Sequence, residues 1–77
     1  MRLRAGDKTY EVSAYATWRI AIPLEVFPSR PPKRVKIACQ CGEAELTLSH
    51  VAFNHAYYYV PARAECILRA EECELVI

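Results

Sequence analysis

Apolar side chains occupy every second position between Tyr10 and Ile22, which is the strongest pattern in the chain. The apolar members are Tyr10, Val12, Ala14, Ala16, Trp18, Ile20 and Ile22. The intervening set is mixed: Glu11, Ser13, Tyr15, Thr17 and Arg19. A period of two residues is typical of a β-strand with one buried face. Because the segment is roughly twice the usual strand length, we expect it to bend around the core, with Trp18 as the largest core side chain.

A glycine-containing turn just before this segment predicts a hairpin. A two-residue loop at residues 6–7 (Gly-Asp) sets Leu3 opposite Tyr10 on the apolar face. The same register sets Arg2 opposite Glu11 on the other face, where opposite charges stabilise a cross-strand pair. Agreement on both faces predicts this register.

A second hairpin is predicted further along the chain. A two-residue loop at residues 41–42 (Cys-Gly) sets Val35 opposite Leu48 and Cys39 opposite Ala44 on one face. The two predicted hairpins would supply four segments of one sheet.

The segments between and after the hairpins carry weaker signals. Pro23 ends the long strand, and the prolines of residues 23–34 predict an extended loop. Residues 49–56 start with Ser49 as a helix N-cap and are expected to form one helical turn. Residues 57–60 are aromatic and β-branched and predict a strand whose middle tyrosine faces inward, with Pro61 as its end.

The C-terminal stretch is ambiguous between helix and strand. Residues 62–74 are rich in strong helix formers, and apolar residues recur there at helical spacing. A hairpin with its loop at residues 69–72 competes, because it would set Ala64 opposite Ile77 and Cys66 opposite Leu75 on one face. We favour the hairpin, since the preceding segments are all predicted strands.

These elements predict a single all-β domain over residues 1–77. We expect about six strands in an antiparallel meander that forms a small bent sheet, barrel or sandwich. A helical C-terminal stretch would change the class to α+β.

Composition adds an expectation of association. The chain is 53% hydrophobic, whereas a domain of this size buries only roughly 60% of its unfolded surface, so apolar surface is left for a partner or a second copy. Residues 1–38 carry eight Lys or Arg and three Asp or Glu, and residues 39–77 carry two and six. We expect oppositely charged strands to pair across the fold.

The expected compartment determines the expected state of the four cysteines. The N-terminal residues lack the apolar segment of a signal peptide, and no apolar run is long enough to cross a membrane. We therefore expect a cytoplasmic protein with buried free thiols. Alternatives are a disulfide that involves Cys66 or Cys73, or a zinc site built from Cys39, Cys41, His50 and His55. The ligand spacing fits known zinc sites poorly, so no metal and no cofactor are expected.

The function that these patterns favour is non-catalytic protein binding, as an adaptor, subunit or inhibitor of a larger assembly, with self-association as a homodimer through a sheet edge. Tyr15 and Arg19 lie on the mixed face of the long strand and are residue types enriched at interfaces. The alternative is a single-stranded nucleic-acid-binding module, zinc-stabilised or not, that uses the basic loop at residues 30–36 and the tyrosines of residues 57–59. The candidate binding residues are Tyr15, Arg19, Arg30, Lys33, Arg34, Tyr57 and Tyr59. An enzyme is not expected, because no serine-elbow or phosphate-binding glycine motif occurs and no motif supports a nucleophile pair of Cys41 with His50 or His55.

Overall fold

Most of the chain is extended, as the alternation of apolar side chains predicts. The computed structural model describes residues 1–15 and 18–76, which form one eight-stranded sheet and two short 3-10 helices. The strands are β1 (Arg2–Ala5), β2 (Lys8–Glu11), β3 (Ser13–Tyr15), β4 (Arg19–Pro23), β5 (Arg34–Cys39), β6 (Gly42–Ala52), β7 (His55–Tyr59) and β8 (Glu72–Val76). The helices span Leu24–Val26 and Ala62–Arg69. The all-β fold class is confirmed.

The two edges of the sheet are formed by one continuous stretch of chain. The strand order is β2-β1-β8-β5-β6-β7-β4-β3, so β2 and β3 are the edge strands. Val12 alone separates them in the sequence. The sheet must therefore curl until its edges meet, which makes it nearly barrel-shaped. Val12 is 2% exposed, and its N–H donates to the Met1 carbonyl at 2.8 Å.

The segment from Tyr10 to Ile22 is bent as expected, but it is not one strand. It contributes to β2, β3 and β4, and because β3 pairs antiparallel with β4 the chain reverses between Tyr15 and Arg19. The prediction that Trp18 is a core residue is wrong, since it has a φ of 63° at this reversal and is 39% exposed. Ala16 and Thr17, placed in the same strand by the alternation, lie outside the described residues. Dividing the segment in this way accounts for part of the higher strand count.

The first hairpin is confirmed in its register. Leu3 lies opposite Tyr10 and Arg2 lies opposite Glu11. Leu3 is fully buried and belongs to the core.

The register predicted for the second hairpin is wrong by two residues. Val35 pairs with Leu46 rather than Leu48, because the two-residue loop lies at residues 40–41. A shift of two keeps every side chain on its expected face, so alternation alone does not detect it. The observed register also sets Lys36 opposite Glu45, an opposite-charge pair that favours it.

The helical turn predicted for residues 49–56 is also wrong. These residues belong to β6 and β7, which form a hairpin around Phe53 and Asn54. Both loop residues have positive φ values, as a type I′ turn requires. The sequence conceals this turn, because phenylalanine is rare in the left-handed region. In the following strand, Tyr58 is buried and Tyr59 is exposed, as predicted.

The prediction of a C-terminal hairpin is wrong. The helix and the strand that were the alternatives for this stretch each form in part of it. Residues 62–69 form a 3-10 helix, and residues 72–76 form β8. β8 does not pair with residues 64–68, because it lies between β1, to which it is parallel, and β5, to which it is antiparallel. Ile77, the expected partner of Ala64, lies outside the described residues.

The pairing of β1 with β8 joins the basic half of the chain to the acidic half, as expected. Arg4 Nη2 lies 2.6 Å from Glu74 Oε2, and Arg2 Nη2 lies 3.8 Å from Glu72 Oε2. The Glu74 carboxylate raises the pKa of Arg4 through a hydrogen bond and its charge. Both pairs are exposed, so their contribution to stability is small.

The core lies inside the curled sheet and is closed by non-strand residues. Leu3, Ile20, Ile22, Ile37 and Leu46 are fully buried strand residues. Val26 and Phe27, which follow β4, and Ile67, on the second helix, complete the same cluster. Tyr58 fixes the loop between β4 and β5, because its buried phenol donates a hydrogen bond to the Pro32 carbonyl at 2.6 Å.

All four cysteines are in disulfides, so the prediction of free thiols is wrong. Cys39 is joined to Cys73 and Cys41 to Cys66. The first bond connects residues that already face each other across β5 and β8. Sequence spacing does not predict this, because the β5–β8 pairing brings together residues 34 positions apart.

Among residues 1–15 and 18–76, neither helix has the length and apolar character that a bilayer-spanning helix needs.

Tyr58 makes fold stability sensitive to alkaline pH. Burial raises its pKa from the ordinary 10.0 to about 12. The unfolded phenol ionises first, so the stability that the neutral buried phenol contributes is complete below pH 10 and is lost between pH 10 and about 12. Tyr58→Phe should cost about 1 kcal/mol near neutrality, through loss of the hydrogen bond to Pro32. The substitution should also abolish the loss of folding stability that the ionisation of Tyr58 causes between pH 10 and about 12.

Urea unfolding of both proteins at about pH 8 and about pH 11 measures the two effects. The stability gap should narrow or reverse at the higher pH. An unchanged gap would show that the ionisation of Tyr58 is not linked to folding.

Candidate functional site

Four neighbouring strands bring the predicted tyrosines and Arg19 to one surface. Arg19 on β4 pairs with Tyr15 on β3 and with Tyr59 on β7. One rung further, Tyr57 pairs with Ala21 on one side and with His50 of β6 on the other. Directly paired residues of antiparallel strands point to the same face, and here that face is opposite the fully buried Ile20 and Tyr58. We call Tyr15, Arg19, His50, Tyr57 and Tyr59 the tyrosine face.

The side chains of this face contact one another as well as their strands. The ring of Tyr57 stacks on His50 with centroids 4.6 Å apart and lies 6.1 Å from the ring of Tyr15. The guanidinium of Arg19 lies 5.9 Å from the centre of the Tyr59 ring, in cation–π geometry. A shallow depression of about 270 Å³ is lined by Tyr15, Arg19, His50 and Tyr57. The surface is therefore preorganised before any partner arrives.

Exposure distinguishes the outer members of the face from its centre. Tyr15 is 44% exposed and Tyr59 is 49% exposed, whereas Tyr57 is half-buried between its neighbours. The Nδ1 atom of His50 lies 3.0 Å from the hydroxyl of Ser49. A partner would therefore meet Tyr15 and Tyr59 first, on a base formed by Tyr57 and His50.

The row of cross-strand pairs that contains Arg19 continues around the sheet to the basic residue Arg34. Tyr59 pairs with Thr47 of β6, and Thr47 pairs with Arg34 of β5. Four strand spacings of about 4.8 Å separate Arg34 from Tyr15 along the curved sheet, or roughly 20 Å. Neither rung that carries the tyrosine face includes an aspartate or glutamate. The surface is aromatic and mildly basic.

The other two basic candidates lie off this surface. Arg30 and Lys33 are exposed in the loop between β4 and β5. The carbonyl of Lys33 accepts the N–H of Leu48, so the backbone of the loop is attached to β6. The predicted binding residues thus form one five-strand surface, with Tyr15, Arg19, Arg34, Tyr57 and Tyr59, and a separate loop.

The backbone of Trp18 borders this surface, although the sequence pattern assigned the residue to the core. Its N–H donates to the Tyr15 carbonyl at 3.2 Å, and its carbonyl accepts the N–H of Val60 at 2.8 Å. These backbone bonds place Trp18 next to Tyr15 and next to Val60, which follows Tyr59, at the reversal between β3 and β4. No local signal marks this position as a turn, because alternation continues through it.

The four residues considered for zinc are not assembled into a site. Cys39 and Cys41 are each in a disulfide, His50 is stacked on Tyr57, and Nδ1 of His55 lies 2.7 Å from the Phe53 carbonyl oxygen. In the part of the chain that the structure describes, no three His, Cys, Asp or Glu side chains are grouped as metal ligands would be.

The chain matches no protein-family model, and comparison with curated proteins and with solved structures gives no significant match.

Because the chain has a single tryptophan, the position of Trp18 is directly testable. Its fluorescence should show the red-shifted emission of a hydrated indole and should be quenched by acrylamide in the folded state. Trp18→Ala should cost much less than the about 3–5 kcal/mol typical of a buried tryptophan. Blue-shifted, unquenched emission with a core-sized loss in urea unfolding would instead place the indole inside.

Proposed function

We propose that this protein is a small non-catalytic protein-binding domain whose binding surface is the tyrosine face together with Trp18. The observation that carries the proposal is that exposed Tyr15 and Tyr59 are the paired neighbours of Arg19 on either side, with exposed Trp18 next to Arg19 in the chain. Tryptophan, tyrosine and arginine are the residues that most often dominate binding energy at protein interfaces. An adaptor, subunit or inhibitor of a larger assembly would use such a surface.

The rigidity of the support favours binding with little loss of side-chain freedom. The tyrosine face lies on four hydrogen-bonded strands, and its central ring is fixed between His50 and Tyr15. Immobilising a flexible side chain at an interface costs about 0.5–1.5 kcal/mol. Side chains already held by their neighbours avoid much of this cost.

A protein partner is favoured over single-stranded nucleic acid by the distribution of charge and ring faces. Nucleic-acid affinity depends on several phosphate contacts, but Arg30 and Lys33 lie on the loop and not on the tyrosine face. Base stacking needs open ring faces, whereas His50 covers one side of Tyr57 and Arg19 approaches the ring of Tyr59.

A non-catalytic role agrees with the chemistry of the described residues. The four cysteines are in disulfides, and each histidine has a local partner. The expected cytoplasmic location stays a prediction. Disulfides persist in oxidising compartments and in the cytoplasm of hyperthermophiles, so a cytoplasmic location would point to the latter.

The partner can be identified by site-specific photo-crosslinking. A benzophenone side chain at Tyr59 should capture the partner, whereas the same group at exposed Thr9, on edge strand β2, should not. With the purified partner, Tyr15→Ala, Trp18→Ala and Tyr59→Ala should each cost about 2 kcal/mol, or roughly thirtyfold in Kd. Thr9→Ala is the matched control and should leave Kd unchanged.

Two results would contradict this assignment. If Arg30→Ala and Lys33→Ala weaken binding while the tyrosine variants bind normally, the loop is the site. If an oligonucleotide of about twelve nucleotides binds with an affinity that falls steeply with salt, the nucleic-acid alternative is supported. Capture of a second copy through Tyr59 would identify the surface as a homodimer interface.

A further inference from the structure

The two disulfides differ in what surrounds them. Cys39 and Cys73 are paired residues of β5 and β8, and Cys73 is 3% exposed. Cys41 is exposed in the β5–β6 turn, and it is joined to Cys66 on the second 3-10 helix, Ala62–Arg69. One bond is therefore protected by the sheet, while the other links two surface segments.

Two surface depressions meet at the Cys41–Cys66 bond. One, of about 340 Å³, has Lys36, Glu43 and Arg63 in its lining, and the other, of about 540 Å³, has Arg2, Arg69 and Glu71. Both include Cys41 and Cys66. A thiol can thus approach the bond from either side, with charges of both signs along its path.

The helix that carries Cys66 is attached to the rest of the protein by side-chain packing and by the disulfide rather than by strand pairing. Its backbone is non-helical at Ala64, and neither end has a side-chain cap. Its ion pair, Arg69 with Glu65 at 3.1 Å, lies within the helix itself. Ala64 and Ile67 are its buried side chains. Opening the Cys41–Cys66 bond requires no strand pair to separate.

We propose that Cys41–Cys66 is a thiol–disulfide exchange site that a dithiol protein opens selectively, with Cys39–Cys73 left closed. A thiolate of the dithiol attacks one sulfur of the bond, forms a mixed disulfide and releases the other cysteine as a thiolate, which takes up a proton. The second thiol of the dithiol then attacks the mixed disulfide, releases the remaining cysteine and leaves the dithiol oxidised. Two electrons pass to Cys41 and Cys66, which end as thiols.

The exchange would release the helix from the β5–β6 turn while the sheet persists. Local openings of this kind need less free energy than unfolding of a core strand. The exchange does not depend on the proposed binding function, because neither Cys41 nor Cys66 belongs to the tyrosine face. It needs no protein partner other than the dithiol.

The first test is limited reduction of the native protein with dithiothreitol, followed by alkylation and mass mapping of the labelled cysteines. Cys41 and Cys66 should be labelled at least about tenfold faster than Cys39 and Cys73, because the second pair is protected by the sheet. Equal labelling of all four residues, or earlier labelling of Cys39 and Cys73, would overturn the proposal.

The second test uses a thioredoxin in which the resolving cysteine is replaced by serine. It should be trapped on Cys41 or Cys66 of the native protein, and the Cys41→Ser/Cys66→Ser double variant should trap none. Trapping on Cys39 or Cys73 of the native protein would contradict selective opening.

Release of the helix has its own readout, because Arg63 and Arg69 are trypsin sites within it. Cleavage there should be at least about tenfold faster in the double variant than in the oxidised native protein. Exposed Lys33, in the β4–β5 loop, is followed by arginine rather than proline, so it is the internal control and should be cut at the same rate in both. Equal cleavage of the helix would show that the bond does not hold it.

Discussion

The closure of the sheet by residues 8–15 is the constraint on which the rest of this structure depends. One short segment supplies β2 at one edge and β3 at the other, with buried Val12 between them. A sheet connected in this way has to curl, and curling encloses the apolar face that the alternation creates. It also leaves only short edge strands of four and three residues, which limits unwanted strand pairing. The sequence suggests self-association through a sheet edge, but these short edge strands offer few unpaired backbone N–H and C=O groups for it.

Curling also explains why the functional candidates are on the outside. The central strands have one face in the core and one on the convex surface, whereas edge strand β3 is exposed along its whole length. Tyr57 and Tyr59 flank the buried Tyr58, so their positions follow from the burial of their neighbour. Arg19 is placed in the same way by Ile20. A rigid core therefore determines the geometry of the exposed aromatic residues, and this preorganisation is the main reason that they suit a binding role.

The small size of the core gives the disulfides their importance. A domain of 77 residues buries little surface and is marginal in stability. In the chain-entropy account, a disulfide that closes a loop as long as either of these two contributes about 3–4 kcal/mol. The two bonds share this role unequally. Cys39–Cys73 strengthens a strand pair that hydrogen bonds already hold, whereas Cys41–Cys66 attaches a helix that is otherwise held by side-chain packing of Ala64 and Ile67 on the core. Cys39–Cys73 therefore stabilises the sheet, and Cys41–Cys66 is an accessible link between two surface segments.

The local pattern determined most strand faces, the first hairpin and the general position of Tyr58, because period-two alternation and a Gly-Asp turn act over a few residues; Ala14, assigned to the buried face, is exposed. It did not determine the register of the second hairpin, since a shift of two leaves every face unchanged. It also misassigned Trp18 and the turn at Phe53, because both residues adopt positive φ values that their side chains do not favour. Of the candidate site, the residue types at Tyr15, Arg19, Tyr57 and Tyr59 could be identified from the sequence. That they share one surface, and that Cys39 faces Cys73, was decided by strand order alone, because only the tertiary structure places β4 beside β7 and β8 beside β5.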